Sequence, residues 1–255
     1  MRQIRAVRTV ISEIEQALLK RGVIGSIRWF GRGLLIRTRK TMFHAHKEWH
    51  RSMIEAEQEF DLSYGVETCS QVRLSQLNIP GNNWRYGNKY EALTEEEFNR
   101  VLCGITPPYE DHVFVDLGSG KGRAIVLASV LPFKKVVGVE FSGELTAIAK
   151  RNLYLFPPAR RKCQDIEVLC LDAVENEFPT SPIVLFLNNP FSELIMVQVV
   201  RKLTTSFYEY PREIVVAYLH PEFPGLWDEV EFLRRVKAAR DLIIWRSDEH
   251  FAVSE

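Results

Sequence analysis

The stretch Val113-Phe114-Val115-Asp116-Leu117-Gly118-Ser119-Gly120-Lys121-Gly122-Arg123 decides how this 255-residue chain is read. Five residues, apolar but for one acid, predict a buried strand. Three glycines alternating with Ser and Lys predict a sharp turn, and the following residues predict a helix. A strand, a glycine turn and a helix start place that turn at the carboxyl edge of an α/β sheet, where such sheets take their ligands. Glycine lets the backbone bend there and lets a ligand approach without a Cβ in the way. The N–H groups of the helix start face a polar or anionic group.

Outward from this segment the same grammar repeats. Strands are predicted at Val136–Glu140, Ile166–Leu171, Ile183–Leu187 and Ile214–Leu219, with helices at 122–131, 143–154 and 192–208. Short Val/Ile/Leu runs alternating with helices predict βαβ units and a mostly parallel sheet buried on both faces. Two consecutive strand-like segments, 228–236 and 241–253, predict a terminal antiparallel hairpin. Upstream, Thr94 followed by Glu97 three residues on is a capping-box pattern and predicts a helix start. The 60–90 stretch, rich in Asn, Pro and Gly, reads as an ordered but irregular linker. Residues 3–19 have the spacing of an amphipathic helix, and 26–56 predict one or two more. The domain reading is a basic helical extension at 1–59, a linker or lid at 60–93 and an α/β domain at 94–255.

Two common ligands of such a turn fit it poorly. The turn is G-x-G-x-G, not the dinucleotide G-x-G-x-x-G, and Lys121 is followed by Gly122, where a phosphate-binding P-loop needs Ser or Thr. Asp116 disfavours phosphate and suits an ammonium group, such as the one on the methionine moiety of S-adenosylmethionine (SAM). Glu140 ends the second strand, where a carboxylate can accept from two ribose hydroxyls. Asp172-Ala173 follows the third strand, within reach of an adenine amino group. Asn188-Asn189-Pro190-Phe191 follows the fourth, where the methyl group would point.

These residues together resemble the class I, Rossmann-like seven-strand SAM-dependent methyltransferases, over about 90–220 and the terminal hairpin. Phe60-Asp61-x-x-Tyr64-Gly65-Val66-x-Thr68, then Tyr90-Glu91, then Asp116 to Arg123, is similar to a bacterial subgroup of that class. Tyr90-Glu91-Ala92-Leu93, D-L-G-S-G and Asn188-Asn189-Pro190-Phe191 are also similar to the non-SET lysine methyltransferases that modify histone cores. Those carry an Asn-Asn-Phe motif, and here a proline interrupts it. The resemblance implies that Asp116, Gly118, Ser119, Gly120 and Gly122 hold the methionine end. It implies Glu140 and Phe141 at the ribose, Asp172 and Ala173 at the adenine, and Tyr90 and Glu91 closing over the cofactor. Asn189 and Phe191 would line the acceptor channel as the catalytic residues, with Asn189 also touching the cofactor. The implied acceptor is a protein side-chain nitrogen, such as lysine. A small molecule or nucleobase stays open, since Asn-Pro-Phe is similar to the Asn-Pro-Pro-aromatic motif of amino-group nucleobase enzymes. So does a SAM-fold binding module without turnover.

Charge divides the chain. Lys+Arg and Asp+Glu are both 33, yet residues 1–55 hold twelve basic and four acidic residues, a net of +8 against −8 for the rest. A basic arm of this kind docks on its own acidic body or meets an anionic partner, nucleic acid or membrane surface. The docked arm is the simpler reading. Cys69, Cys103, Cys163 and Cys170 lack C-x-x-C spacing, which suits free thiols in a reducing cytoplasm. His44, His46 and His50 lack the Glu of a zinc motif, so no metal is expected. Arg123 is read as the partner of a nearby carboxylate.

Overall fold

The computed structural model describes residues 55, 58–69, 92–105 and 108–248. The readings placed on residues 1–54, on Tyr90 and Glu91, and on His44, His46 and His50 lie outside the described residues. The chain divides at residues 55/56 into two units, and everything below concerns the second.

Seven strands form one sheet: β1 (Val113–Leu117), β2 (Lys135–Glu140), β3 (Ile166–Cys170), β4 (Ile183–Asn188), β5 (Ile214–Leu219), β6 (Leu233–Ala238) and β7 (Leu242–Ser247), in the order β3-β2-β1-β4-β5-β7-β6. The first five are mutually parallel, and β7 runs antiparallel to both β5 and β6. This is the Rossmann-like α/β sheet with a terminal hairpin that the pattern of strands predicts. The order reverses between β1 and β4, so the crevice of an open α/β sheet lies outside their carboxyl ends.

Helices α1 (Glu95–Leu102), α2 (Arg123–Ser129) and α3 (Gly143–Leu155) cover one face, and α4 (Glu193–Glu209) with the short α5 (Gly225–Asp228) covers the other. Side chains alternate across the sheet as the strand period requires. Phe114, Val136, Val184 and Val215 face the first helical layer. Val113, Val115, Leu185 and Val216 face the second. Parallel strands packed on both sides read as continuous apolar runs, and β1 is buried along its whole length.

Two predicted elements change shape. The first hairpin strand begins at Leu233, because Gly225–Asp228 forms a helical turn that sinks Trp227 into the core instead. The 60–90 linker is helical at its start, not irregular: residues 58–64 form a helix, and Phe60 and Val66 belong to the core. The capping box forms as expected. Thr94 Oγ1 accepts from the Glu97 N–H (3.1 Å), and Glu97 Oε2 accepts from the Thr94 N–H (2.7 Å).

Candidate functional site

At the carboxyl end of β1 and β2 two carboxyl groups face one another. Register pairs Asp116 with Gly138, and Glu140 lies two residues further along, so both acids project from the same face of the sheet. Asp116 is 3% exposed and Glu140 4%. Glu140 is anchored by the main chain: the Gly120 N–H donates to one oxygen (2.9 Å) and the Ser142 N–H to the other (2.8 Å). The glycine turn and the start of α3 are thereby tied to one carboxylate. No hydrogen bond from the described residues reaches the Asp116 carboxyl. Burial pushes Asp116 up to about 8, and the charge of Glu140 adds to the effect. Burial also raises Glu140, to about 7, against the downward pull of the Ser142, Gly120 and Phe141 N–H groups. The two acids titrate as a pair, in which one charge opposes the other. A ligand that brings a cation and hydroxyl donors relieves this burial. The ammonium and ribose of SAM are such groups, so the residues present fit it.

Two glycines of the turn are required by their surroundings. Gly118 has φ +81°, and a Cβ there would lie 2.4 Å from Pro190 Cβ. Gly122 has φ +84° and would place a Cβ 3.0 Å from Ala149 Cβ in α3. The first contact brings Asn188-Asn189-Pro190-Phe191 against the glycine turn, joining two motifs that lie about 70 residues apart. Ser119 in the same turn is buried, and its hydroxyl has no hydrogen-bond partner among the described residues.

The turn is braced from behind by residues 58–69. Asp61 accepts from the N–H groups of Thr68 and Cys69 (both 2.7 Å) and from Thr68 Oγ1 (2.6 Å). Burial alone would raise its pKa, but these bonds outweigh burial and the net shift is downward. Arg123, 2% exposed, pairs with Asp61 (3.4 Å), donates to Thr68 Oγ1 (2.6 Å) and the Leu93 carbonyl (3.0 Å), and stacks over Phe60 at 4.3 Å. Lys121 donates to the Cys69 carbonyl (2.7 Å). Asn152 of α3 clamps Glu67 through both of its main-chain polar atoms and also donates to the Lys121 carbonyl (2.9 Å). The Phe60–Thr68 motif is thus a clasp that holds the glycine turn, and Arg123 is its buried partner.

The remaining sequence candidates divide. One Asp172 oxygen accepts from the Val174 N–H (3.1 Å), a turn bond that fixes its direction, and the residue stays half-buried. Ala173 and Phe191 are 6% and 7% exposed and pack in the core beneath the edge. Phe191 therefore supports the edge from inside the core. Asn189 has φ +42°, and its amide is held on both sides: Oδ1 accepts from the Tyr218 hydroxyl (3.0 Å), and Nδ2 donates to Glu222 (3.3 Å). The Tyr218 hydroxyl also accepts from the Glu222 N–H (3.3 Å). Tyr218 and Glu222 escaped the sequence reading, because Tyr218 sits inside an apolar strand run and reads as core.

No family model matches the chain, and no curated protein matches it. Solved structures are similar to it at low identity. An RNA methyltransferase from Salinibacter ruber in complex with S-adenosyl-L-homocysteine is 19% identical over 62% of this chain and 92% of its own, with a TM-score of 0.40. A ribosomal protein L11 methylase from Lactobacillus delbrueckii subsp. bulgaricus is 16% identical over 60% and 76%, with a TM-score of 0.41. The magnesium protoporphyrin IX methyltransferase of Synechocystis with bound SAM is 7% identical over 60% and 79%, with a TM-score of 0.40. Their acceptors differ, and likeness at this level bears on neither acceptor nor site.

None of the described helices is long and apolar enough to cross a membrane.

Proposed function

We propose that this chain is a SAM-dependent methyltransferase whose acceptor is a nitrogen on a protein side chain, such as lysine. One observation carries the reading: a buried carboxyl, Asp116, to which no described residue donates a hydrogen bond, stands opposite Glu140 beside a glycine turn at the crevice of the sheet. Asp116 offers a counter-charge for an ammonium group. Glu140 keeps acceptor capacity for hydroxyl donors beyond the N–H groups of Gly120, Ser142 and Phe141, since a carboxylate has about four acceptor sites. Asp172 stands at the tip of β3, where an adenine amino group can meet it.

Bound SAM supplies a methyl group already activated on a sulfonium, so the protein's part is alignment and control of water. Asn189 supplies the alignment on the acceptor side. Its amide is fixed by Tyr218 and Glu222 at the carboxyl tip of β4, beside the glycine turn. The Glu222 carboxylate adds negative charge there, which favours a cationic acceptor such as a lysine ammonium. The basic arm at 1–55 adds no argument for nucleic acid over protein.

The test is calorimetry with SAM and S-adenosylhomocysteine, followed by methyl-labelled SAM in cell lysate whose protein and nucleic acid are separated afterwards. Label in protein supports the reading. Label in nucleic acid or small molecules moves the acceptor. Tight SAM binding without label would make the chain a binding module.

A further inference from the structure

Among the described residues, two that are not glycine hold left-handed backbone angles: Asn189 (φ +42°) and His220 (φ +50°). The β4–β5 register pairs Asn188 with Leu219, so both follow directly after a matched pair, side by side at the same edge. Left-handed backbone is costly for side-chain-bearing residues and clusters at functional sites. His220 is pinned there from two directions. Its N–H donates to the Asp241 carbonyl (2.7 Å), and its ring Nε2 lies 3.2 Å from Glu97 Oε1. Glu97 stands 123 positions earlier, in the first turn of α1. Its other oxygen, Oε2, takes the Thr94 N–H and hydroxyl, so the helix cap aims the remaining oxygen at the imidazole. Burial would raise the Glu97 pKa, but the bonds from His220 and Thr94 outweigh it and keep the carboxylate charged. Among the described residues, Asp241 also feels the charge of the ring, and Asp241 is itself paired with Arg100 of α1 (2.7 Å). Glu222 follows two residues on in the chain.

We propose that His220, oriented by Glu97, is the proton acceptor for the methyl-accepting nitrogen. This rests on the methyl-transfer reading above. A carboxylate on Nε2 selects the tautomer with the proton on that nitrogen, which makes Nδ1 the basic one. A resting amine acceptor is an ammonium without a lone pair. The balance is as follows. One N–H bond of the ammonium breaks, and the proton passes to the imidazole, which becomes imidazolium beside the Glu97 carboxylate. The freed lone pair forms the N–CH₃ bond, the S–CH₃ bond breaks, and its electron pair stays on sulfur, which becomes a neutral thioether. His220 is the catalytic residue here, and Glu97 positions it. The acceptor class that follows is a nucleophile that arrives carrying a proton it must lose. A thioether or a tertiary amine needs no such pair.

The test uses the full chain. Nitrogen-15 NMR of the histidine rings, with His220→Gln for assignment, reads tautomer and titration without any donor. His220 should show the Nε2–H form, and Glu97→Gln should lower its midpoint by about one pH unit as the neighbouring charge is lost. Glutamine can still cap α1. With labelled SAM and lysate protein, His220→Gln should cut transfer about 100-fold. In Glu97→Gln the acid limb of the pH–rate profile should move down by the same amount as the NMR midpoint. SAM affinity by calorimetry should stay within about twofold in both variants. A midpoint unmoved by Glu97→Gln, or transfer by His220→Gln within about threefold of wild type, overturns the proposal. A wild-type chain that binds no SAM overturns the methyl-transfer reading instead, and the NMR result then judges the His220–Glu97 pair by itself. A chain that binds SAM but labels no protein overturns the proton-acceptor role together with the protein acceptor.

Discussion

The two halves of the carboxyl edge are built differently. At the tips of β1 and β2, Asp116 and Glu140 are almost fully buried, and the groups that fix Glu140 are main-chain N–H donors. At the tips of β4 and β5, Asn189, Glu222 and His220 keep solvent access, and other side chains hold them: Tyr218 and Glu97. Main-chain donors tolerate little change, which suits a ligand that never changes. Side-chain networks can be rebuilt by substitution, which suits the half that meets a particular acceptor. The contrast teaches that donor and acceptor functions should separate under mutation.

The largest effect is expected behind the β1 half. Asp61→Ala leaves Arg123 buried without its carboxylate. Breaking such a pair costs about 3–5 kcal/mol, and for a unit of this size Tm should fall by about 10 °C. Thermal denaturation checks this. A loss under about 2 °C would mean that the clasp does not support the glycine turn.

Next comes Asp116→Asn, which keeps shape and removes charge. SAM affinity should fall about 10–100-fold, on the scale of a lost charge-assisted contact of 1.5–3 kcal/mol, read by calorimetry. Stability should move the other way with pH. The folded Asp116 carboxyl is raised to about 8 from 3.8, so the folded state holds a proton that the unfolded state has released. The stability this contributes is full below about pH 4 and is lost as pH rises toward 8, at up to about 1.4 kcal/mol per pH unit. Without SAM, wild-type Tm should therefore decline between pH 5 and 8 more steeply than that of Asp116→Asn. Parallel curves would contradict the buried-pair account.

On the other half, Tyr218→Phe removes the hydroxyl that holds Asn189. Methyl transfer should drop about tenfold, while SAM affinity stays unchanged and stability falls by about 1 kcal/mol. A loss of SAM binding here would erase the distinction between the halves. The smallest effect is expected far from both. Glu167→Gln breaks the exposed Lys135–Glu167 pair (2.9 Å) on the edge strand, worth less than about 1 kcal/mol, and should leave binding and transfer alone.

Much of this edge was legible in one dimension. Strands buried on both faces, the glycine turn and the Thr94–Glu97 cap depend on neighbours within a few residues, so their spacing gives them away. Arg123 was rightly read as a carboxylate's partner, but the partner itself, Asp61, lies 62 residues upstream and only folding identifies it. The His220–Glu97 pair is hidden for the same reason. Sheet order is also non-local: nothing in β3 says that it lies at the edge, beyond β2. Phe191 and Ala173 were read from their neighbours in the chain, whereas their burial follows from the opposite face of the sheet. The hairpin start was misplaced because Val230 and Phe232 read as part of an apolar strand, whereas they are buried in the turn between Gly225–Asp228 and the strand that begins at Leu233.

The central claim is that the Asp116–Glu140 crevice binds SAM. Calorimetry of the wild-type chain and Asp116→Asn, at one pH and with SAM as titrant, tests it most directly. One site per chain, weakened at least tenfold by the substitution with the fold intact, is the predicted result. No heat with the wild-type chain, or equal affinity in the two proteins, would contradict it.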